Sequence, residues 1–130
     1  PQLRLFLVDP YCVAWQGGLE GSCGDTLAQA VGRLQPYRAR ATQVLQTSAE
    51  AAMWVAPGSL DLVFIDGDHS YEAVASDLRS WWPVLRSGGI LAGHDYQGDY
   101  PGVVVAVHEF AVASALELFL APEVFWLVKP

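Results

Sequence analysis

Basic residues are scarce in this chain. Of its 130 residues only 7 are Lys or Arg, against 14 Asp or Glu, giving a net charge of -7. Contact with a nucleic-acid backbone or an anionic membrane face needs an excess of positive charge, so neither is the main partner. Charge of either sign is sparse at 16% of residues, while 52% are hydrophobic, and that balance excludes a disordered chain. Cysteine is nearly absent: Cys12 and Cys23 are too few for a disulfide scaffold and fit neither a CxxC nor a zinc spacing. They read as ordinary reduced thiols of a cytoplasmic protein. No basic stretch followed by an apolar run lies near Pro1, so nothing reads as a signal peptide. The most apolar region, Val103 to Val128, is interrupted by His108, Glu109, Glu117, Pro122 and Glu123. One acid at mid-bilayer costs about 3 kcal/mol, which rejects a membrane span.

No repeat, low-complexity tract or linker divides what remains, and 1–130 reads as a single domain. A chain of this size buries roughly two-thirds of its unfolded surface, enough for one core. Strand-like and helix-like segments alternate. Leu3–Val8 is a short apolar run ending at Asp9-Pro10, the pattern of a buried strand. After a Gly-containing loop at 16–24, Asp25 is placed to cap a helix with Leu27, Val31 and Leu34 facing inward and Pro36 as its stop. Thr42–Leu45 is a weaker strand signal. Thr47-x-x-Glu50 has capping-box form and opens a short helix that Pro57-Gly58 ends.

Leu62–Ile65 is the clearest strand, followed by Asp66-Gly67-Asp68-His69. Tyr71, Val74, Leu78, Trp81 and Leu85 recur at helical spacing, so 70–82 is an amphipathic helix that Pro83 ends or kinks. Gly88-Gly89 turns the chain into the strand Ile90–Ala92, which runs out into Gly93-His94-Asp95-Tyr96. Pro101-Gly102 precedes 103–113, read as helix although its Val103–Val107 run also suits a strand. Leu116–Leu120 and Val124–Val128, around Ala121-Pro122, form a hairpin. The alternation implies a mostly parallel sheet covered on both faces, with an antiparallel edge from the hairpin.

In open α/β sheets ligands bind beyond the carboxyl ends of the strands. Asp9, Ser48, the trio Asp66, Asp68 and His69, and the pair His94 and Asp95 come after four successive strands, so polar groups collect at one rim. Neither cysteine is placed like an activated nucleophile. A metal-dependent hydrolase built from Asp66, Asp68, His69, His94 and Asp95 would need a further ligand pair, and none is evident.

The segment LDLVFIDGDHSYEAVASDLRSWWPVLRSGGILAGHDY, with PGVVVAVHEF and a closing FWLVKP, resembles the later part of a class I S-adenosylmethionine-dependent methyltransferase. Within that fold it is most similar to small-molecule O-methyltransferases related to the macrocin and catechol enzymes. The resemblance implies a Rossmann-like three-layer α/β sandwich and a small-molecule hydroxyl as methyl acceptor. It places Asp9 on the cofactor ribose hydroxyls, and Ser48 and Ala49 along the adenine. Strand-end turning by Asp9 and helix capping by Thr47 or Ser48 are the purely structural readings of the same residues. Asp66 matches an acid close to the methyl donor that binds metal in the metal-dependent members. His94 and Asp95 match the second and third metal-ligand positions. His69 matches a basic side chain over the acceptor hydroxyl, with Asp68 as competing base or as the group that orients His69.

Two departures stand out. Imidazole is an unusual ligand for magnesium. Either the divalent cation is softer, or His94 lies outside its coordination shell, or no metal is used. The family's first strand and glycine-rich turn are also missing from this sequence. In the family's sheet that strand lies between those ending at Asp9 and Asp66, so its two neighbours are expected to expose unpaired edges and apolar faces. A preceding segment, or a second copy in a homo-oligomer, would complete the sheet. A non-catalytic binding or assembly module that keeps the fold is the alternative to an enzyme.

Overall fold

The computed structural model describes residues 3–11 and 23–130, with side chains in the second stretch from Thr26 onward. The Cys12 and Cys23 thiols and most of the loop at 16–24 lie outside that description. The described chain forms two compact units, Pro1–Ala51 and Ala52–Pro130. The strands divide in the same way, into a two-stranded sheet and a four-stranded one.

In the first unit β1 (Leu5–Val8) runs parallel to β2 (Ala41–Val44), in register from Leu5↔Ala41 to Val8↔Val44. Helix α1 (Cys23–Leu34) begins two residues ahead of Asp25, which therefore falls in its first turn rather than at its cap. Pro36 ends it as expected, by drawing Gln35–Tyr37 into a 3-10 turn. Val31, assigned to the inward stripe, is 50% exposed, because two short strands offer little surface to cover a helix. The capping box forms: the Glu50 N–H donates to Thr47 Oγ1 at 3.4 Å, and the Thr47 N–H donates to Glu50 Oε2 at 3.1 Å. Helix α2 (Ser48–Ala52) then stops well short of Pro57.

The second unit orders its strands β3-β4-β6-β5, where β3 is Leu60–Ile65, β4 Leu85–Gly93, β5 Leu118–Ala121 and β6 Val124–Val128. β3 and β4 are parallel, and β6 runs antiparallel to both β4 and β5. β4 starts earlier than Gly88-Gly89 suggested. Those glycines form an irregularity inside the strand instead of a turn before it: the register jumps from Leu60↔Leu85 to Leu62↔Ile90. Gly88 adopts a φ of 72°, and its N–H bonds the Lys129 carbonyl at 2.8 Å, so β6 holds the irregularity in place.

Helix α3 (Tyr71–Trp81) matches the periodicity closely, and α4 (Pro101–Ala113) resolves the Val103–Val107 run as helix, with Pro101 in its first turn. The core joins Val74, Leu78 and Trp81 of α3, Val103 and Val107 of α4, and Val63, Ile65, Leu91, Phe125 and Leu127 of the sheet. Each fully buried Leu or Phe contributes about 1.5–3 kcal/mol. The opposite sheet face is bare, with Leu62 and Phe64 more than half exposed. Among the described residues β1 pairs with β2 alone, and β3 with β4 alone, so each leaves one edge without a partner strand there.

Gly93 closes β4 under Phe125. A Cβ there would lie 2.5 Å from the Phe125 ring and 2.7 Å from the Ile65 carbonyl oxygen. Gly93→Ala is expected to cost about 1–3 kcal/mol through overpacking, read from the urea unfolding midpoint.

Candidate active-site rim on the second unit

The register pairs Ile65 with Gly93, so the residues beyond each strand emerge at one rim. The His94 N–H continues the ladder by bonding the Ile65 carbonyl at 3.0 Å. Asp95 then breaks away with a φ of 60°, a left-handed conformation that Asp tolerates better than most residues. The Gln97 N–H donates to the Asp95 carbonyl at 2.8 Å, and the Tyr96 N–H to that of Glu123 at 3.2 Å, which fixes the turn.

On the β3 side, Asp66 is exposed and Asp68 turns back on the chain. Asp68 Oδ1 accepts the Ser70 N–H at 2.7 Å, and Ser70 Oγ caps α3 by accepting the Ala73 N–H at 3.4 Å. The backbone hydrogen bond from Ser70, reinforced by its side chain, holds the Asp68 carboxyl below the usual carboxylate range. His69 crosses to the end of β4, where its Nε2 lies 2.8 Å from Asp95 Oδ2. Asp95, not Asp68, is therefore the group that orients His69. The imidazole packs on Tyr100 with ring centroids 4.2 Å apart. Behind it, a Cβ on Gly102 would come within 2.5 Å of the His69 carbonyl oxygen, so the absent side chain lets α4 lie against this turn.

Asp95 is the most enclosed acid of the group, its side chain 14% exposed. Burial works against its ionisation, but the hydrogen bonds from His94 and His69 outweigh it and hold its pKa below the ordinary range. His94 Nδ1 stands 3.2 Å from Asp95 Oδ1, and its Nε2 lies 3.7 Å from Glu123 Oε2. Asp66, His69 and Asp95 each bring one ligand atom within 4.8 Å of the others, and His94 is not in that set. The His94 ring instead faces Glu123 at the β5–β6 turn. No second such group occurs among the described residues.

Asp9, Ser48 and Ala49 belong to the first unit. The Asp9 N–H bonds the Val44 carbonyl at 3.1 Å, and its Oδ1 accepts the Tyr11 N–H at 2.6 Å, forming a turn at the end of β1. Thr47 is the cap of α2, which leaves Ser48 and Ala49 in its first turn. Trp81 is core, Trp82 packs edge-on against Phe110, and Trp126 stacks on Phe119. His108 is exposed on α4. Sequence reasoning missed Gly102 and Glu123 as supports of the rim; the Pro101-Gly102 pair at a helix start was the one available sign of the former.

Since folding lowers the Asp68 pKa, the ionised carboxylate contributes stability above its unfolded pKa, and that contribution is lost as pH falls through the folded value. Asp68→Asn is expected to flatten the acid limb of a stability–pH curve monitored by circular dichroism. Ser70→Ala, which removes the α3 cap, is expected to cost about 1 kcal/mol in urea unfolding.

Comparison with known proteins agrees with this architecture. The sequence profile of a family described as a methyltransferase domain matches residues 3–96. An uncharacterized protein of Acanthamoeba polyphaga mimivirus is 28% identical over 113 residues, spanning 82% of this chain and 48% of the viral protein. CalS11, a TDP-rhamnose 3'-O-methyltransferase of calicheamicin biosynthesis, superposes with a TM-score of 0.66 at 17% identity, over 96% of this chain and 57% of its own. A Streptococcus mutans protein solved with S-adenosylhomocysteine gives 0.67 at 12% identity, over 98% and 76% respectively. At those identities the structures establish the fold, and the chain spans about half the length of the viral relative. The family match covers most of this chain, from β1 through the Asp95 turn, and on that ground the chain belongs to the methyltransferase-domain family.

Proposed function

We propose that this chain forms part of an S-adenosylmethionine-dependent methyltransferase that methylates a hydroxyl of a small molecule, in the cytoplasm. The observation that carries the reading is the convergence of Asp66, His69 and Asp95 where β3 and β4 end together. Such a rim is where open α/β sheets bind ligands. The net charge of -7 favours a small acceptor over a polyanion.

In the reaction, the acceptor oxygen attacks the sulfonium methyl in line. The new O–CH3 bond forms as the S–CH3 bond breaks, its electron pair passing to sulfur to leave S-adenosylhomocysteine. The hydroxyl proton must go to a base. The cofactor is already activated, so the chain's share is positioning and proton removal. Asp9 is assigned to the ribose diol, because one carboxylate accepts two hydrogen bonds from vicinal hydroxyls. Its bond to the Tyr11 N–H orients the carboxylate without exhausting its acceptor capacity. Ser48 and Ala49 are assigned to the adenine face, and Asp66 to the neighbourhood of the methyl donor.

Two carboxylates and an imidazole at this spacing suit a divalent cation, held by Asp66, His69 and Asp95. When bound, such a cation lowers the pKa of the acceptor hydroxyl. Asp68 is assigned as the group that receives the proton, its loop fixed by the Ser70 N–H. A second reading is favoured by the 2.8 Å contact of His69 Nε2 with Asp95 Oδ2: a metal-free base, with Asp95 accepting from Nε2–H and Nδ1 taking the proton.

Calorimetric titration with S-adenosylmethionine and S-adenosylhomocysteine tests the reading. Binding at micromolar strength is expected, and Asp9→Asn is expected to weaken it by about tenfold or more, as for loss of a charge-assisted hydrogen bond. Silence toward both compounds would favour the assembly-module alternative, which the open β1 and β3 edges would serve.

A further inference from the structure

We propose that the outer edge of β2, with the groove between it and α1, takes an extended acidic peptide that adds to the sheet as a further strand and lodges one bulky apolar side chain in the groove. The site lies within the first unit and owes nothing to the methyl-transfer reading. The ladder between β1 and β2 fixes which backbone groups are left over. The Leu5 N–H bonds the Arg40 carbonyl at 2.8 Å, and the Asp9 N–H bonds that of Val44 at 3.1 Å. A parallel ladder engages alternate residues, so Arg40, Thr42 and Val44 turn their backbone groups to β1, and those of Ala41 and Gln43 point away from it. Among the described residues β2 pairs with β1 alone, so this outward row meets no partner strand. Such a row is a template for an added strand.

The same two residues line the groove. Val31 and Leu34 of α1, with Gln35 and Arg38 after it, complete a cavity of about 170 Å³. Pockets that enclose a whole small-molecule ligand run to roughly 300–1,000 Å³, so this one suits a single large side chain. Val31, Leu34 and Ala41 give it an apolar lining, and Val31 remains 50% exposed. Backbone groups at the edge and an apolar slot beside them are the two parts that strand addition uses: the first for affinity, the second for choice of side chain.

Charge decides what kind of strand is accepted. The chain carries a net charge of -7, yet between Asp25 and Glu50 it holds Arg33, Arg38 and Arg40 and no acid. Arg33 lies in the last turn of α1, Arg38 lines the groove, and Arg40 precedes β2 with its guanidinium 5.2 Å from the centre of the Tyr37 ring. Among the described residues none of the three pairs with a carboxylate. Two copies of this edge would bring like charges together, which disfavours pairing of the chain with itself. Carboxylates on an incoming strand meet unpaired guanidinium groups instead, in the geometry that arginine recognises best.

The test titrates the chain into fluorescein-labelled synthetic peptides and follows fluorescence anisotropy. The probe has a central phenylalanine between valines, with glutamates at both ends. One control carries lysines for the glutamates; two others are N-methylated at the odd or the even positions, which blocks one edge of the added strand or the other. We expect the probe to bind, and replacement of its glutamates by lysine to weaken binding about tenfold or more, as for loss of charge-assisted hydrogen bonds. Arg38→Glu and Val31→Asp are expected to do the same, while Arg86→Gln, on the second unit, leaves affinity within about twofold. One N-methylated form is expected to lose about fivefold or more and the other to bind like the probe. Circular dichroism of each variant establishes that it folds. Failure of the probe to bind, equal binding of the lysine peptide, equal behaviour of the two N-methylated forms, or a loss in Arg86→Gln matching that in Arg38→Glu would each overturn the proposal. So would a short single-stranded DNA that displaces the probe as well as unlabelled peptide does, or a dimer of the unaltered chain that excludes it in sedimentation.

Discussion

The pairing of Ile65 with Gly93 is the constraint that creates the rim. In parallel strands both carboxyl ends lie on the same side, so the residues after the two paired positions emerge together. A two-residue slip would keep every side chain on its face yet carry Asp66 roughly 7 Å away from Asp95. Several contacts resist that slip. Gly93 has no side chain where Phe125 sits, and only a glycine passes beneath that ring without displacing it. At the far end of β4, Lys129 Nζ donates to the carbonyls of Trp82, Pro83 and Leu85, tying the last strand to the chain between α3 and β4. The irregularity at Gly88-Gly89 is pinned by the reciprocal bonds of Gly88 and Gly89 with Lys129.

Asp95 concentrates the electrostatics of the rim. Its two oxygens face two imidazoles, and its left-handed backbone puts the carboxyl between them. Strain of this kind persists only where neighbouring structure over-determines it. Here the Tyr96 and Gln97 N–H bonds do so. On the proposed reading the same arrangement suits either a cation or a proton. A carboxylate kept ionised by imidazole donors is ready to ligate a metal, and it is equally able to hold His69 in one tautomer. Which of the two operates is decided by what occupies the space beside it, and the fold itself need not change.

Much of this was legible in the sequence where local signals were strong. The capping box at Thr47 and Glu50, the stripe through Val74, Leu78 and Trp81, and the hairpin about Ala121-Pro122 are short-range patterns, and each forms as read. The gathering of Asp66 and Asp95 was implied by strand order alone. Which imidazole joins them was not. The resemblance assigned His94 and Asp95 to one ligand set; His94 does contact Asp95 but turns its Nε2 toward Glu123, while His69 reaches Asp95 from 26 residues away. Nor does a glycine pair announce whether it will turn the chain or bulge a strand. Gly88-Gly89 does the latter because Lys129, more than forty residues later in the chain by the residue numbers, bonds to both glycines. Long-range partners of this kind leave no local mark.

The two units differ in how densely they are packed. Asp66, His69 and Asp95 stand on a four-stranded sheet backed by α3 and α4, with Leu78, Leu85, Leu91, Leu127, Phe125 and Val107 almost wholly excluded from water. Asp9, Ser48 and Ala49 stand on a unit with a two-stranded sheet, in which Ala51 is the one described residue counted among the buried core. Two strands are marginal in water by themselves. The backbone that carries Asp66, His69 and Asp95 is therefore held in place by the packing of its own sheet and helices.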